Sequence, residues 1–129
     1  MQTKEDYLRV MHHLNDEKGV IKSSEIAVYL NISKPSVSEM LTKLYDNKLI
    51  ENPRYSDIKL TKKGMAEAVK ITNKHRVIER FLQDTLKISK NKVHEEAHKL
   101  EHAFSDNVLF KLNEFLNHPK TCPHGKPIN

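Results

Sequence analysis

Apolar residues recur at the spacing of one helix face through most of the chain, and a Ser or Thr usually stands just before each such stretch. This combination predicts amphipathic helices with side-chain N-caps. The expected caps are Thr3, Ser23, Ser33, Thr61 and Ser89, and Asp106 begins a last helix. The pattern therefore indicates a mainly α fold.

The helices fall into two groups separated by one short hairpin. Three helices are expected over about 4–17, from 24 to 30 and from residue 34 onward, and residues 49–60 read as a hairpin. Three more are expected, with limits of about 62–86, 89–104 and 106–117. The segment 119–129 holds three of the five prolines and is expected to lack regular structure. We predict one domain over residues 1–61 and a second, all-helical domain with an irregular tail over 62–129.

Size and charge narrow the classes of protein. In 129 residues only 37% are hydrophobic, so the core is thin and a homodimer that shares it is expected. Lys and Arg number 22 against 17 Asp and Glu, a net charge of +5, which favours a polyanionic partner such as nucleic acid.

Several classes are excluded by what the sequence lacks. No run of 18 apolar residues and no basic-then-apolar leader is present, so we expect a soluble, cytoplasmic protein with no membrane partner. Its single cysteine, Cys122, rules out a disulfide framework within one chain and a zinc ribbon built from cysteines.

The segment 23–50 has the order of a helix-turn-helix. Its second helix begins with short polar or basic side chains, as a recognition helix requires where its N-terminal end enters the major groove. The hairpin that follows suits a wing along the sugar-phosphate backbone. An ordinary helical bundle with solvated polar positions is the alternative. The candidate DNA-binding residues are Ser33, Lys34, Pro35, Ser36, Ser38, Glu39, Thr42 and Lys43, with Arg54, Tyr55 and Ser56 on the wing.

Imidazoles and carboxylates cluster in the second half. At about 100° per residue, His94, His98, Glu101 and His102 fall within about a third of one helix circumference. His75 and Glu79, at i and i+4, lie on one face of the preceding helix. Imidazole with carboxylate and without thiolate suits Mn²⁺, Fe²⁺ or Zn²⁺. The alternative is that these side chains are merely solvated.

His94-Glu95-Glu96-Ala97-His98 also satisfies HExxH, the zinc protease signature. We reject that interpretation, because Glu101 and His102 continue the same face and the chain is short for a proteolytic cleft. The sequence therefore predicts no enzyme and no small-molecule substrate.

Taken together, these residues resemble the diphtheria toxin repressor family of metal-dependent transcriptional regulators, which includes iron-dependent repressors and manganese transport regulators. The resemblance covers nearly the whole chain. It rests on Glu5–Arg9, Ser33–Ser38, Leu60–Gly64, His75-Arg76 with Glu79–Leu82, Val93–Ala97 and Leu100–His102. The fold it implies is an N-terminal winged helix-turn-helix followed by a helical metal-binding and dimerisation domain.

The family uses two neighbouring metal positions, and the resemblance implies their ligands in this chain. One would comprise Asp6, His98, Glu101 and His102, and the other His75, Glu79 and His94. From the residues alone, Asp6 reads only as part of a capping box.

Three departures from the family pattern bear on the metal. Asp6 stands where iron-type members carry Met, His98 where they carry Cys, and Arg9 where manganese-type members carry a second carboxylate. The loss of sulfur ligands favours Mn²⁺, while Fe²⁺ or Zn²⁺ remains compatible. Within the family, the chain resembles the two-domain form that lacks an SH3-like third domain. We expect Cys122 and His124 to lie outside the metal site.

The resulting hypothesis is a homodimeric repressor with Mn²⁺ or Fe²⁺ as corepressor. Its two recognition helices would match half-sites of a palindromic double-stranded operator. The resemblance suggests genes for metal-ion uptake as targets. Two rivals remain: a winged-helix DNA binder that needs no metal, and a metal buffer or metalloenzyme whose basic charge is incidental.

Overall fold

Six α-helices make up most of the structure, a computed structural model that describes residues 3–53 and 56–129. The mainly α class predicted from the sequence is confirmed. The helices are α1 (Lys4–Lys18), α2 (Ser23–Leu30), α3 (Lys34–Asp46), α4 (Lys62–Asp84), α5 (Lys90–Glu101) and α6 (Asp106–Phe115).

The chain divides into two compact units, Met1–Lys70 and Ile71–Asn129, and the division falls within α4. Each unit has its own buried apolar residues. The predicted domain boundary at residue 61 stays a prediction.

The helix starts follow from local capping chemistry. Thr3 forms the expected capping box, because its Oγ1 accepts from Asp6 N at 3.3 Å and its own N–H donates to Asp6 Oδ2 at 2.8 Å. Ser33 caps α3 by accepting from Ser36 N, and Thr61 caps α4 by accepting from Gly64 N. These three predicted caps are confirmed.

Two other predicted caps need correction. Ser23 is the first residue of α2, and Lys22 occupies the cap position with no side-chain hydrogen bond. Ser89 occupies the N-cap position of α5 as predicted, but its hydroxyl makes no capping hydrogen bond. The apolar pattern therefore located both helices, although the cap chemistry assigned to them was wrong.

The hairpin is smaller than predicted. Within the described residues it is a single antiparallel bridge between Ile50 and Leu60. Its base is tied instead to the segment between α1 and α2, where Ile58 N donates to Ile21 O at 2.8 Å and Ile21 N donates to Asp57 Oδ1 at 3.3 Å. These bonds draw Asp57 into the first unit, and its pKa is lowered, mainly by the hydrogen bond from Ile21.

A second core lies in the unit of residues 71–129. Apolar side chains of α4, α5 and α6 meet there, and they include the predicted strip of Val93, Ala97, Leu100 and Phe104. The helix α5 ends at Glu101, three residues earlier than expected. The last residue of the helix, Glu101, lies inside the unit, and none of the surface of Glu101 is exposed.

The segment 119–129, called the tail below, is more ordered than its prolines suggested. Thr121 and Pro127 form an antiparallel bridge, Cys122 is buried, and Ile128 packs against the second core. The tail therefore has no helix or regular strand, as expected, but it folds back as an ordered small loop within its unit.

None of the helices in the described parts of the chain combines the length and the apolar character needed to cross a membrane.

A close backbone approach explains Gly64. A Cβ atom at this position would lie 1.9 Å from the carbonyl oxygen of Leu49. That oxygen accepts from Thr61 N at 3.0 Å, so the backbone before the bridge lies directly against the first turn of α4.

We predict that Gly64→Ala lowers the free energy of unfolding by about 1–3 kcal/mol, the usual cost of overpacking. Chemical denaturation followed by circular dichroism measures this. The matched control is Ala66→Gly, at an exposed position of the same helix, which isolates the helix-propensity difference of about 1 kcal/mol. A Gly64→Ala variant more stable than wild type would show that the close approach carries no cost.

Candidate functional site

The helices α4 and α5 bring imidazoles and carboxylates together inside the second unit. Ile78 and Leu82 of α4 share a buried core with Val93 and Ala97 of α5. This packing turns the polar residues beside them toward one another. His75, Glu79 and Glu101 are all nearly inaccessible to solvent, at 4%, 2% and 0% exposure.

The first group, called the Glu79 cluster, contains His75, Glu79 and His94. Nε2 of His75 lies 3.0 Å from Nδ1 of His94. The carboxylate oxygens of Glu79 lie 3.6 Å from each of these two nitrogens. One potential ligand atom from each residue lies within 4.8 Å of the others, close enough to bind one ion.

Two residues that the sequence analysis placed outside the site join this cluster. Cys122 Sγ and a ring nitrogen of His124 lie within 4.8 Å of each other and of a Glu79 oxygen. Nδ1 of His124 is 3.4 Å from Glu79 Oε2. The ordered tail carries both residues to α4, so the expectation that they lie elsewhere is wrong.

The electrostatics of Glu79 favour a bound cation. Burial raises the pKa of this carboxyl, but the neighbouring imidazoles of His75 and His94 outweigh burial and lower the pKa to about 2. The buried Oε2 atom nonetheless accepts no hydrogen bond within the described residues. An ionised, buried oxygen surrounded by imidazoles at 3.4 to 3.6 Å fits a metal ligand.

The second group, called the Glu101 cluster, contains His98 and Glu101, with the predicted ligand His102 beside His98. Nδ1 of His98 lies 3.2 Å from Glu101 Oε1. His102 is the C-cap of α5, and its ring centroid is 6.0 Å from that of His98. Nδ1 of His75 lies 3.3 Å from Glu101 Oε2, so His75 stands between the two clusters.

The donor atoms fit a divalent transition metal. Both clusters combine imidazole nitrogen with carboxylate oxygen, the set preferred by Mn²⁺, Fe²⁺ and Zn²⁺, and Cys122 adds a sulfur to the Glu79 cluster. Asp6 was also predicted as a ligand. In its own unit its carboxylate completes the capping box of α1.

The HExxH interpretation does not fit this arrangement. Nδ1 of His94 faces Glu79 on α4, while Nδ1 of His98 faces Glu101 on α5. The two imidazoles of the motif therefore face different carboxylates, whereas a zinc protease needs both on one ion.

The exposed side of α3 carries the predicted DNA-binding residues of that helix. Val37, Leu41 and Leu44 are buried. The side chains that remain exposed are Ser33, Lys34, Pro35, Ser36, Ser38, Glu39, Thr42 and Lys43. On the predicted wing, Ser56 is exposed, while Arg54 and Tyr55 lie outside the described residues.

The chain thus consists of a helix-turn-helix unit and a helical unit with two imidazole–carboxylate clusters, and the long helix α4 runs from one unit into the other. Family models agree with both halves. Residues 1–58 match the iron-dependent repressor N-terminal DNA-binding domain, and residues 61–129 match the iron-dependent repressor metal-binding and dimerisation domain. The chain belongs to the iron-dependent repressor family, which confirms the resemblance noted in the sequence.

Individual relatives show how far the similarity extends. The iron-dependent repressor IdeR of Mycobacterium tuberculosis (strain ATCC 25618 / H37Rv) is 35% identical over 128 residues, which cover 99% of this chain and 56% of IdeR. An uncharacterised HTH-type transcriptional regulator of Methanocaldococcus jannaschii is 40% identical over 116 residues, or 89% of this chain and 93% of that protein. The structure of the manganese regulator SloR superposes with a TM-score of 0.83 at 40% identity, and the match covers this whole chain and 63% of SloR.

Proposed function

We propose that this protein is a metal-dependent transcriptional repressor that binds a palindromic operator as a homodimer. The observation that carries the proposal is the pair of buried carboxylates, Glu79 and Glu101, each surrounded by imidazoles. They lie in the half of the chain that matches a metal-binding domain, and an exposed recognition helix lies in the other half.

The proposed ligands follow from the two clusters. The Glu79 cluster supplies His75, Glu79 and His94, with Cys122 and His124 as further donors from the tail. The Glu101 cluster supplies His98, Glu101 and His102, and the family resemblance adds Asp6. A bound ion would supply positive charge to these carboxylates and fix the side chains around them.

The donor sets favour different metals. Without sulfur, the Glu101 cluster suits Mn²⁺, as the sequence predicted, and similarity to a manganese regulator supports this. The thiol of Cys122 makes Fe²⁺ or Zn²⁺ a better match for the Glu79 cluster. Genes for metal-ion uptake are the proposed targets.

The dimer is supported by exposed apolar side chains on α6. Val108, Phe110 and Phe115 are 46%, 59% and 65% exposed, although α6 lies in the half that matches a dimerisation domain. Val108 and Phe115, seven residues apart, share one face of α6, and apolar side chains that together form an exposed patch mark protein interfaces. We propose that a second copy of the chain covers them.

The first test is recovery of fragmented genomic DNA from the source organism by the purified protein, once with Mn²⁺ and once with EDTA. We expect a few palindromic fragments only with metal, and their positions identify the regulated genes. Equal recovery in both samples would leave a DNA-binding protein without a metal switch. A lack of enrichment with Mn²⁺, Fe²⁺ or Zn²⁺ would contradict the repressor function.

Removal of ligands from the Glu101 cluster tests the metal assignment. We predict that His98→Ala or Glu101→Ala weakens metal-dependent operator binding by about tenfold or more, since even outer-shell partners of a metal are worth about 10–100-fold in affinity. Fluorescence anisotropy with labelled operator measures this at fixed Mn²⁺. Lys99→Ala, an exposed residue of α5, is the matched control and should bind as wild type does. Unchanged affinity in both ligand variants would show that this cluster is not the regulatory site.

Salt dependence tests the recognition helix. We predict that Lys43→Ala weakens operator binding and lowers the slope of log affinity against log salt by about 1, as expected for one lost phosphate contact. Lys111→Ala on α6 removes the same charge from the other unit and should leave the slope unchanged. If both variants lose affinity equally, only the net charge matters and α3 is not the DNA-binding element.

A further inference from the structure

Polar side chains along one face of α4 bind the backbone of the tail. Asn73, Arg76 and Arg80 follow one another at intervals of three and four residues. Asn73 exchanges two hydrogen bonds with the backbone of Asn129, at 2.7 and 3.0 Å. Arg76 Nη1 donates to Pro127 O at 2.6 Å. The tail is therefore held by α4 at its far end.

Arg80 holds the near end of the tail through Thr121. Its Nε and Nη2 both donate to Thr121 O, at 3.1 and 2.9 Å, and Nη2 lies 3.3 Å from Thr121 Oγ1. The remaining nitrogen, Nη1, donates to Asp84 Oδ1 at 3.3 Å, and this bond further restrains the guanidinium group. One side chain thus fixes both the backbone and the hydroxyl of a single residue.

Thr121 immediately precedes the part of the tail that reaches Glu79. Cys122 N donates to Lys126 O at 2.8 Å, and Gly125 N donates to Cys122 O at 2.9 Å, so Cys122 and His124 lie on one tight loop. The position of this loop beside α4 therefore depends on the hydrogen bonds that hold Thr121, the residue just before it. Arg80 is also the direct neighbour of Glu79 in sequence.

We propose that Arg80 is a positioning residue that places Cys122 and His124 against Glu79 and so raises the metal affinity of the Glu79 cluster. The inference rests on the proposed metal-binding function. Arginine suits this task because its planar fork can donate two parallel hydrogen bonds to one group. Lysine carries the same charge but is a point donor on a flexible stem.

Co²⁺ is the probe, because a thiolate bound to Co²⁺ gives a near-ultraviolet charge-transfer band. Cys122 is the only cysteine, so this band reports on the Glu79 cluster alone and is silent about the Glu101 cluster. We expect Arg80→Ala to weaken the Co²⁺ affinity measured from the band by about tenfold, the lower range for loss of an outer-shell partner. Arg80→Lys should give an intermediate affinity, because it restores the charge and one donor.

Lys120→Ala is the matched control, since it removes an exposed cation beside Thr121 and should bind Co²⁺ as wild type does. Circular dichroism of each variant establishes whether it is folded. If Arg80→Ala does not fold, the Arg80→Lys variant still tests the proposal. Wild-type affinity in both Arg80 variants would overturn the positioning role while leaving the metal site intact. If the wild-type protein binds Co²⁺ without a thiolate band, Cys122 is not a ligand. The proposal that Arg80 positions Cys122 for metal binding would then be overturned as well.

Discussion

The second unit depends on the burial of two carboxylates between helices. An ionised carboxylate taken out of water costs several kcal/mol unless charge and hydrogen bonds compensate. His75 lies beside both carboxylates, since its Nε2 is 3.6 Å from Glu79 Oε1 and its Nδ1 is 3.3 Å from Glu101 Oε2. The further imidazoles of His94 and His98 complete the surroundings. The interior of this unit is thus built for positive charge, which a protonated imidazole or a metal ion can supply.

The fold could be predicted where local chemistry determines it. Thr3, Ser33 and Thr61 have hydroxyls that accept from a backbone N–H three residues later, a relation visible in sequence. The base of the hairpin was not predictable in the same way. It is held by a backbone hydrogen bond from Ile58 N to Ile21 O, 37 positions apart, and such a bond leaves no periodic pattern in the residues. Local signals therefore predicted the helices, whereas contacts between residues far apart in sequence could be found only in the structure.

The site divides along a similar line. The helical step correctly placed His98 near Glu101 on α5. It did not reveal that His94, on the same helix, faces Glu79 of α4, because that depends on how the two helices pack. It also missed the arrival of Cys122 and His124. The tail is held by Arg76 and Arg80 through backbone carbonyls, and every residue has a carbonyl, so the sequence carries no mark of the acceptor.

The tautomer of His75 links the two clusters. A neutral imidazole has one nitrogen with a free electron pair and one that carries hydrogen. If Nε2 serves as a ligand in the Glu79 cluster, Nδ1 carries the hydrogen, and this nitrogen lies 3.3 Å from Glu101 Oε2. This is the usual outer-shell arrangement of a histidine ligand, and it increases the basicity of the ligand nitrogen. Glu101 is then a partner to one cluster and a member of the other, so a change of charge at either cluster acts on both.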